Sequence, residues 1–298
     1  MLKLKSDVNI FSLSKRISRP LILDGAMGSL LQQKGVKPHK DLWMSIANIT
    51  HPELVIELHK EYINAGADII TTNTFNTNPT DTKGIKKNGS KQLVKRAVKL
   101  ARKAVGELPV LVAGSNAPAE DCYQVERTIS KRELEQNHKK HIDLLMENGV
   151  SFILNETHSH FDEIKIITKY CDKNNIPYVM SLFFTDEQRL LSGEKLSEIV
   201  EFLNDSNAMA IGFNCVLPST MEKAKKEITF PTNWGLYLNC GDGSFTDVDI
   251  QCGISPVNYS SIIKEYLNDS PSYIGSCCGS SPEHIKEIQK VIDGKRNN

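Results

Sequence analysis

Two adjacent cysteines near the end of the chain, Cys277 and Cys278, stand between Gly275-Ser276 and Gly279. Neighbouring Cα atoms lie about 3.8 Å apart, too close for ordinary disulfide geometry. Glycines beside the pair let the backbone turn both sulfurs the same way, toward one soft cation. A third cysteine, Cys215, closes the run Gly212-Phe213-Asn214-Cys215. Three thiolates around zinc with a fourth position open describe a catalytic rather than a structural zinc. Spacing alone leaves a plainer account open, that of three free thiols packed in a core.

The rest of the chain bounds what such a site can serve. Its 298 residues suit a single α/β barrel or two smaller domains. Basic and acidic residues balance at 36 each, which argues against a nucleic-acid or anionic-membrane partner and for a small neutral or zwitterionic substrate. No apolar run approaches the roughly 18 residues of a membrane span. The first residues mix Lys, Asp, Ser and Arg with short apolar pieces and lack the apolar block of a secretory signal. Seven cysteines, an odd number in a chain of this size, fit free thiols in a reducing cytoplasm.

Eight short apolar runs alternate with amphipathic segments. The runs are 21–26, 67–73, 109–115, 151–156, 177–184, 208–215, 233–239 and 272–277. They show little polar alternation, as expected of parallel strands buried on both faces. Helical patterns fall at 52–65, 91–105, 131–148, 161–174, 195–203, 219–227, 258–267 and 282–292. Thr50 before Pro52-Glu53 reads as a helix start, and Ser130 with Glu133 as a capping box. Gly66 and Asn148-Gly149 supply left-handed helix stops. Eight such units predict a (β/α)8 TIM barrel in one domain. An open doubly wound sheet is the alternative, and no GxGxxG follows the first strand to support it. The division expected is an extension at 1–19, the barrel at 20–293 and a tail at 294–298. Loops 77–90, 116–129 and 240–257 are longer than the rest.

In a parallel barrel all strand C-termini share one rim, where active sites lie. Here those ends are polar: Asp24, Thr71-Thr72-Asn73, Ser115-Asn116, Asn155-Glu156, Asn214-Cys215, Asn239-Cys240 and Cys277-Cys278. Strands six and eight are two apart on the ring, so Cys215 can converge with the cysteine pair.

At this point the sequence resembles the homocysteine S-methyltransferase family. The resemblance is carried by Leu23-Asp24-Gly25-Ala26-Met27-Gly28, Ala65-Gly66-Ala67-Asp68 through Thr72-Asn73-Thr74-Phe75, Gly212-Phe213-Asn214-Cys215 and Gly275-Ser276-Cys277-Cys278-Gly279. It runs from about residue 20 to residue 292. It implies a zinc-dependent barrel that methylates the sulfur of homocysteine to give methionine, with Cys215, Cys277 and Cys278 as ligands. That chemistry has a physical reason. A free thiol is only a few per cent thiolate at neutral pH, and zinc removes its proton while keeping the sulfur nucleophilic.

The acceptor's ammonium needs carboxylates, and Asp24 and Glu156 match family positions lining the homocysteine pocket. Thr72 and Asn73 are candidates for its carboxylate, and Asn239 joins the substrate-binding set. Trp43, in Asp41-Leu42-Trp43 of the first connection, resembles a tryptophan of members that use sulfonium or betaine donors. An indole face holds an onium cation by roughly 0.5–2 kcal/mol, although the ring can equally serve to pack the loop. The surrounding residues look closest to the S-methylmethionine-using branch, with S-adenosylmethionine and betaine as alternative donors and other thiols or selenols as alternative acceptors.

Three rim segments depart from the family pattern. Asn116-Ala117-Pro118-Ala119 stands where Gly-Pro-Tyr-Gly is usual, Thr157-His158-Ser159-His160 replaces Thr-x-Pro, and Leu238-Asn239-Cys240-Gly241 replaces Pro-Asn-x-Gly. Cys240 reads as a bystander, and Cys122, Cys171 and Cys252 as ordinary thiols. A competing reading pairs His158 and His160 with Asp24 and Glu156 around a hydrolytic metal. A zinc- or redox-sensing role for the cysteines is a third. His138 and His141, three apart on a helix, are expected on a solvated face.

Overall fold

Apolar runs too short for helices, rich in Ile, Val, Leu and Phe, bury both faces only when flanked by strands in the sheet plane and covered above and below. The computed structural model, which describes residues 9–85, 89–242 and 250–296, arranges them in that way. Expectations touching residues 1–8, 86–88, 243–249 and 297–298 lie outside the described residues. The barrel strands are β1 (Leu21–Ile22), β2 (Ile69–Thr71), β3 (Leu111–Asn116), β4 (Phe152–His158), β5 (Tyr178–Leu182), β6 (Ile211–Asn214), β7 (Trp234–Leu238) and β8 (Tyr273–Ser276). They form one eight-stranded sheet in the order β1-β8-β7-β6-β5-β4-β3-β2, parallel throughout. The ring closes between β1 and β2 through the bridge Leu23↔Ile69 and the bonds Asp24 N to Ile69 O (2.9 Å) and Asp68 N to Ile22 O (2.7 Å). The expected (β/α)8 TIM barrel is the observed fold.

The pleat divides each run between two cores. Leu21, Leu23, Ile69, Phe152, Leu154, Val179, Tyr237 and Tyr273 fill the inside of the barrel. Ile22, Ile70, Val112, Ile153, Met180, Leu236 and Ile274 point outward and pack beneath the helices.

The helices are α1 (Ile10–Ile17), α2 (Met27–Gln33), α3 (Ala47–Thr50), α4 (Pro52–Asn64), α5 (Gly89–Val105), α6 (Lys131–Glu147), α7 (Phe161–Lys173), α8 (Leu196–Asn204), α9 (Pro218–Glu227), α10 (Pro256–Tyr266) and α11 (Pro282–Arg296). The capping box at Ser130 and Glu133 is formed at the start of α6. Gly66 and Gly149 take positive φ at the stops of α4 and α6. Thr50 does not cap α4. It ends α3, its hydroxyl donates back to Ile46 O at 3.2 Å, and Pro52 opens α4 after an uncapped His51.

Helix α1 was not foreseen. Asn9 caps it by accepting bonds from Phe11 N and Ser12 N, and Ser18 ends it at φ 56°. Ile10 is fully buried against the interior cluster, with Leu13 and Ile17 packed beside it. Helix α1 therefore plugs the end of the barrel opposite the polar rim. Arg19 follows and forms a two-pronged pair with Asp68 at 2.6 and 2.9 Å.

Candidate metal centre and substrate cavity

Strand β7 acts as the spacer between the metal-ligand candidates. Cys215 N donates to Tyr237 O at 3.1 Å, and Cys277 N donates to Leu238 O at 2.9 Å. Adjacent carbonyls of one strand thus hold the ends of both neighbours. Cys215 takes a positive φ of 57° as the chain leaves β6. After the pair, Gly279 adopts φ 81°, and a Cβ there would lie 2.5 Å from Gly241 Cα. The result is that the sulfurs of Cys215, Cys277 and Cys278 all lie within 4.8 Å of one another, with Cys215 Sγ 3.5 Å from Cys278 Sγ. Sulfurs sharing a tetrahedral zinc at about 2.3 Å stand roughly 3.8 Å apart, so the donor set fits such an ion in kind and in spread. Among the described residues it is the one group of three or more His, Cys, Asp or Glu side chains so gathered.

Without an ion the three sulfurs share protons unequally. Hydrogen bonds from Cys277 and Cys278 hold the Cys215 thiol well below the ordinary thiol range, against the opposing effect of burial. The same bonds, with burial, push Cys277 and Cys278 up.

The cluster forms one wall of a cavity of about 720 Å³ that opens at the rim. Asp24 and Glu156 line it. Asp24 is buried, and Thr71 donates to both its oxygens, from N and from Oγ1, each at 2.8 Å. Burial nevertheless raises its pKa to about 8. Glu156 accepts from Ser115 Oγ, and burial together with nearby Cys215 raises it to about 7. Two carboxyls short of positive partners favour a cationic ligand.

Trp43 also lines the cavity. Its backbone pairs with His39 in both directions at 2.8 and 3.1 Å, and its ring covers Gly28, where a Cβ would lie 2.3 Å from a ring carbon. Thr72 and Asn73 reach the cavity, but their polar groups have partners. Thr72 Oγ1 meets Thr74 Oγ1 at 2.8 Å and accepts from Ser115 N, and Asn73 Nδ2 donates to Met44 O at 3.0 Å. Asn239 stands outside the lining and accepts from Gly241 N at 2.7 Å. Cys240 is buried with its sulfur toward Leu238 O. Cys171 is buried and Cys252 exposed, whereas Cys122 lines the cavity.

Two expectations are corrected. His138 and His141 are fully buried. His138 Nε2 meets Glu163 at 2.5 Å, and His141 lies between Asn116 Oδ1 (2.8 Å) and Thr77 Oγ1 (3.0 Å). Helix α6 turns these polar residues onto α7 and β3, where acceptors await them. The hydrolytic arrangement does not form either. His158 is buried with Nε2 3.1 Å from Asn116 O, and His160 Nε2 meets Val125 O at 2.9 Å, so both face away from Asp24 and Glu156.

Loop 116–129 supplies what sequence reasoning missed. Glu120, Asp121, Cys122 and Tyr123 come from it into the cavity, and Tyr123 Oη lies 3.3 Å from Cys215 Sγ. Only the length of the loop at the rim signalled this, because its residues carry no periodicity.

With this geometry stands a match over nearly the whole barrel: a family model described as Homocysteine S-methyltransferase covers residues 21–292. The chain belongs to the homocysteine S-methyltransferase family. It is accordingly a methyltransferase. It is similar to Homocysteine S-methyltransferase 2 of Arabidopsis thaliana, at 23% identity over 93% of this chain and 94% of the relative. It is similar to Homocysteine S-methyltransferase YbgG of Bacillus subtilis (strain 168), at 24% over 90% and 93%. Selenocysteine Se-methyltransferase of Brassica oleracea var. italica matches at 23% over 93% and 90%. Among solved structures, the metallated form of the homocysteine methyltransferase MmuM from Escherichia coli shares the fold, with a TM-score of 0.76 at 23% identity over 93% of this chain and 98% of that one.

Proposed function

We propose that the protein transfers a methyl group from a sulfonium donor, S-methylmethionine first among them, to the thiol of homocysteine, and that zinc held by Cys215, Cys277 and Cys278 supports the transfer. The observation that carries this reading is three convergent sulfurs on the wall of a cavity that also holds two buried carboxyls, hydrogen-bonded only by neutral groups among the described residues, and an indole face. The naming of one relative as MmuM in a metallated form supports a metal in this family. Zinc bound to three thiolates supplies a Lewis acid that lowers the pKa of an incoming thiol while thiolate donation keeps that sulfur electron-rich.

The chain's own residues then do the remaining work. Asp24 and Glu156 receive the acceptor's ammonium, each giving up its proton as the cation arrives. Thr71 and Ser115 fix the orientation of those carboxyls. Trp43 presents its face to the donor's positive centre, and Asp41 and Asp121 add negative charge to the cavity lining beside Lys40, while burial holds Asp81 neutral and Glu120 is paired with Arg127. A lining of this sign favours a sulfonium amino acid over a polyanionic folate. With both substrates in place, the acceptor sulfur's electron pair forms the new bond to the methyl carbon, and the old carbon–sulfur bond breaks toward the donor.

The test is a donor panel on zinc-loaded protein with homocysteine, reading methionine. S-methylmethionine is expected to lead S-adenosylmethionine, betaine and methylated folate. Failure of every donor refutes methyl transfer to homocysteine, and a lead for folate or betaine refutes the sulfonium reading. Selenocysteine as acceptor, suggested by the Brassica relative's name, belongs in the same panel.

A further inference from the structure

Building on the proposed transfer, the cavity presents the donor with more than one electron-rich sulfur, and only the acceptor's should be methylated. Attack by Cys215 would form a carbon–sulfur bond to the protein. The donor's carbon–sulfur bond would break with its electron pair going to the donor sulfur, and the site would keep a thioether in place of a ligand. One hydroxyl stands directly against that sulfur. Cys215 lines the cavity yet is only 2% exposed. Tyr123, reaching in from loop 116–129, sets its hydroxyl 3.3 Å from Cys215 Sγ. A Cys215 thiolate has no proton, so in that contact the phenol donates. Charge-assisted donation of this kind withdraws electron density from the sulfur and occupies one of its lone pairs.

The hydroxyl is not there by chance of a mobile loop. Tyr123 N is tied to Asp121 Oδ1 at 2.8 Å, and its ring packs edge-on against Phe183 at 5.1 Å. The loop around it is clamped at both ends by one buried carboxylate. Glu163 accepts from Ala119 N at 2.8 Å and from Arg127 at 3.3 Å, and Arg127 also holds Glu120 at 3.2 Å. His138 supports Glu163 from behind at 2.5 Å.

We propose that Tyr123 is a positioning residue that masks Cys215, and that the Glu163–Arg127 clamp keeps the mask in place, so that the methyl group does not pass to Cys215.

The test compares zinc-loaded wild type, Tyr123→Phe and Arg127→Met, each treated with iodoacetamide and mapped by peptide mass spectrometry. Cys215 should be labelled about tenfold faster in Tyr123→Phe than in wild type, with a smaller gain in Arg127→Met. Buried Cys171 and Cys240 should stay unlabelled in all three. Repeating the treatment with S-methylmethionine should leave methylated Cys215 in Tyr123→Phe and unmodified Cys215 in wild type. Equal Cys215 labelling in wild type and Tyr123→Phe overturns the mask. So does a gain at Cys171 and Cys240 that matches the gain at Cys215, because that marks general loosening. Methionine formation by wild type reports separately on the transfer itself.

Discussion

The residue that decides the chemistry at the finest scale is cysteine, in three copies, two of which, Cys215 and Cys277, are held by neighbouring carbonyls of β7. Removing one leaves two thiolates for an ion that binds four groups, so Cys277→Ala is expected to purify without zinc, to fail to retain added zinc on dialysis, and to lose methionine formation. Full zinc occupancy in that variant would show that the ion sits elsewhere. Trp43 makes a different prediction. Its ring covers Gly28 and lines the cavity. Trp43→Ala should raise the KM for the donor about fivefold or more, the worth of roughly 1 kcal/mol of cation–π attraction, with little change for homocysteine. An equal loss for both substrates would assign Trp43 to packing. Trp43 and the cysteines were legible as residues because rare types stood in a dense pattern. Tyr123 was not, since a tyrosine in an irregular loop carries no signal until a fold brings it to Cys215 from 92 positions away.

Among the elements, α1 shows what a short segment adds. A barrel interior filled by side chains has an open lower end, and water reaches it unless something covers it. Ile10 does so at 0% exposure, with Leu13 and Ile17 packed alongside. Ile10→Ala is therefore expected to lower unfolding stability by about 2–4 kcal/mol, measured by urea denaturation, without changing zinc content. A cost below about 0.5 kcal/mol would mean that α1 only rests on the barrel. The eight strands and the helices that follow them were legible because burial on both faces writes a continuous apolar run and a helix writes a stripe. Helix α1 was not, because eight residues with a single apolar stripe beside a charged start resemble a loose extension. The buried polar layer between α6, α7 and β3 was not legible either. His138 and Glu163 look solvated one at a time, and only their meeting across two helices satisfies both.

Over the whole molecule, buried titratable groups pull stability in opposite directions. Burial holds His59, His141 and His158 neutral down to about 4, 3 and 4. Unfolded histidines bind protons below about 6.5, so these three cost stability as the pH falls below that value. Asp24, Asp81 and Glu156 are held protonated by burial up to about 8, 8 and 7. Their unfolded pKa values lie near 4, so the stability they contribute is lost as the pH rises through the folded values. Glu163 opposes them. Burial would raise it, but His138, His158 and Arg127 hold it well below the carboxylate range, so its contribution is lost only in acid. The metal-free, substrate-free protein should thus keep a nearly level melting temperature from about pH 5 to 6.5, where the two sets offset, and lose stability from about pH 7 to 8.5, where the depressed Cys215 thiol offsets only part of the carboxyl loss. Glu156→Gln should reduce that alkaline loss. A melting temperature that climbs between about pH 7 and 8.5 would contradict the assignment of buried, neutral carboxyls.

The order of elements, the barrel and the three cysteines with Asp24 and Glu156 were determined by the sequence itself, because period, rare residue types and strand-end position are properties of a linear chain. What only the tertiary structure decided is which groups meet. It left Asn239, His158 and His160 outside the cavity lining, buried His138 on Glu163 and brought Tyr123 to Cys215. Each outcome depends on distances between segments far apart in the chain, which packing sets and spacing does not encode.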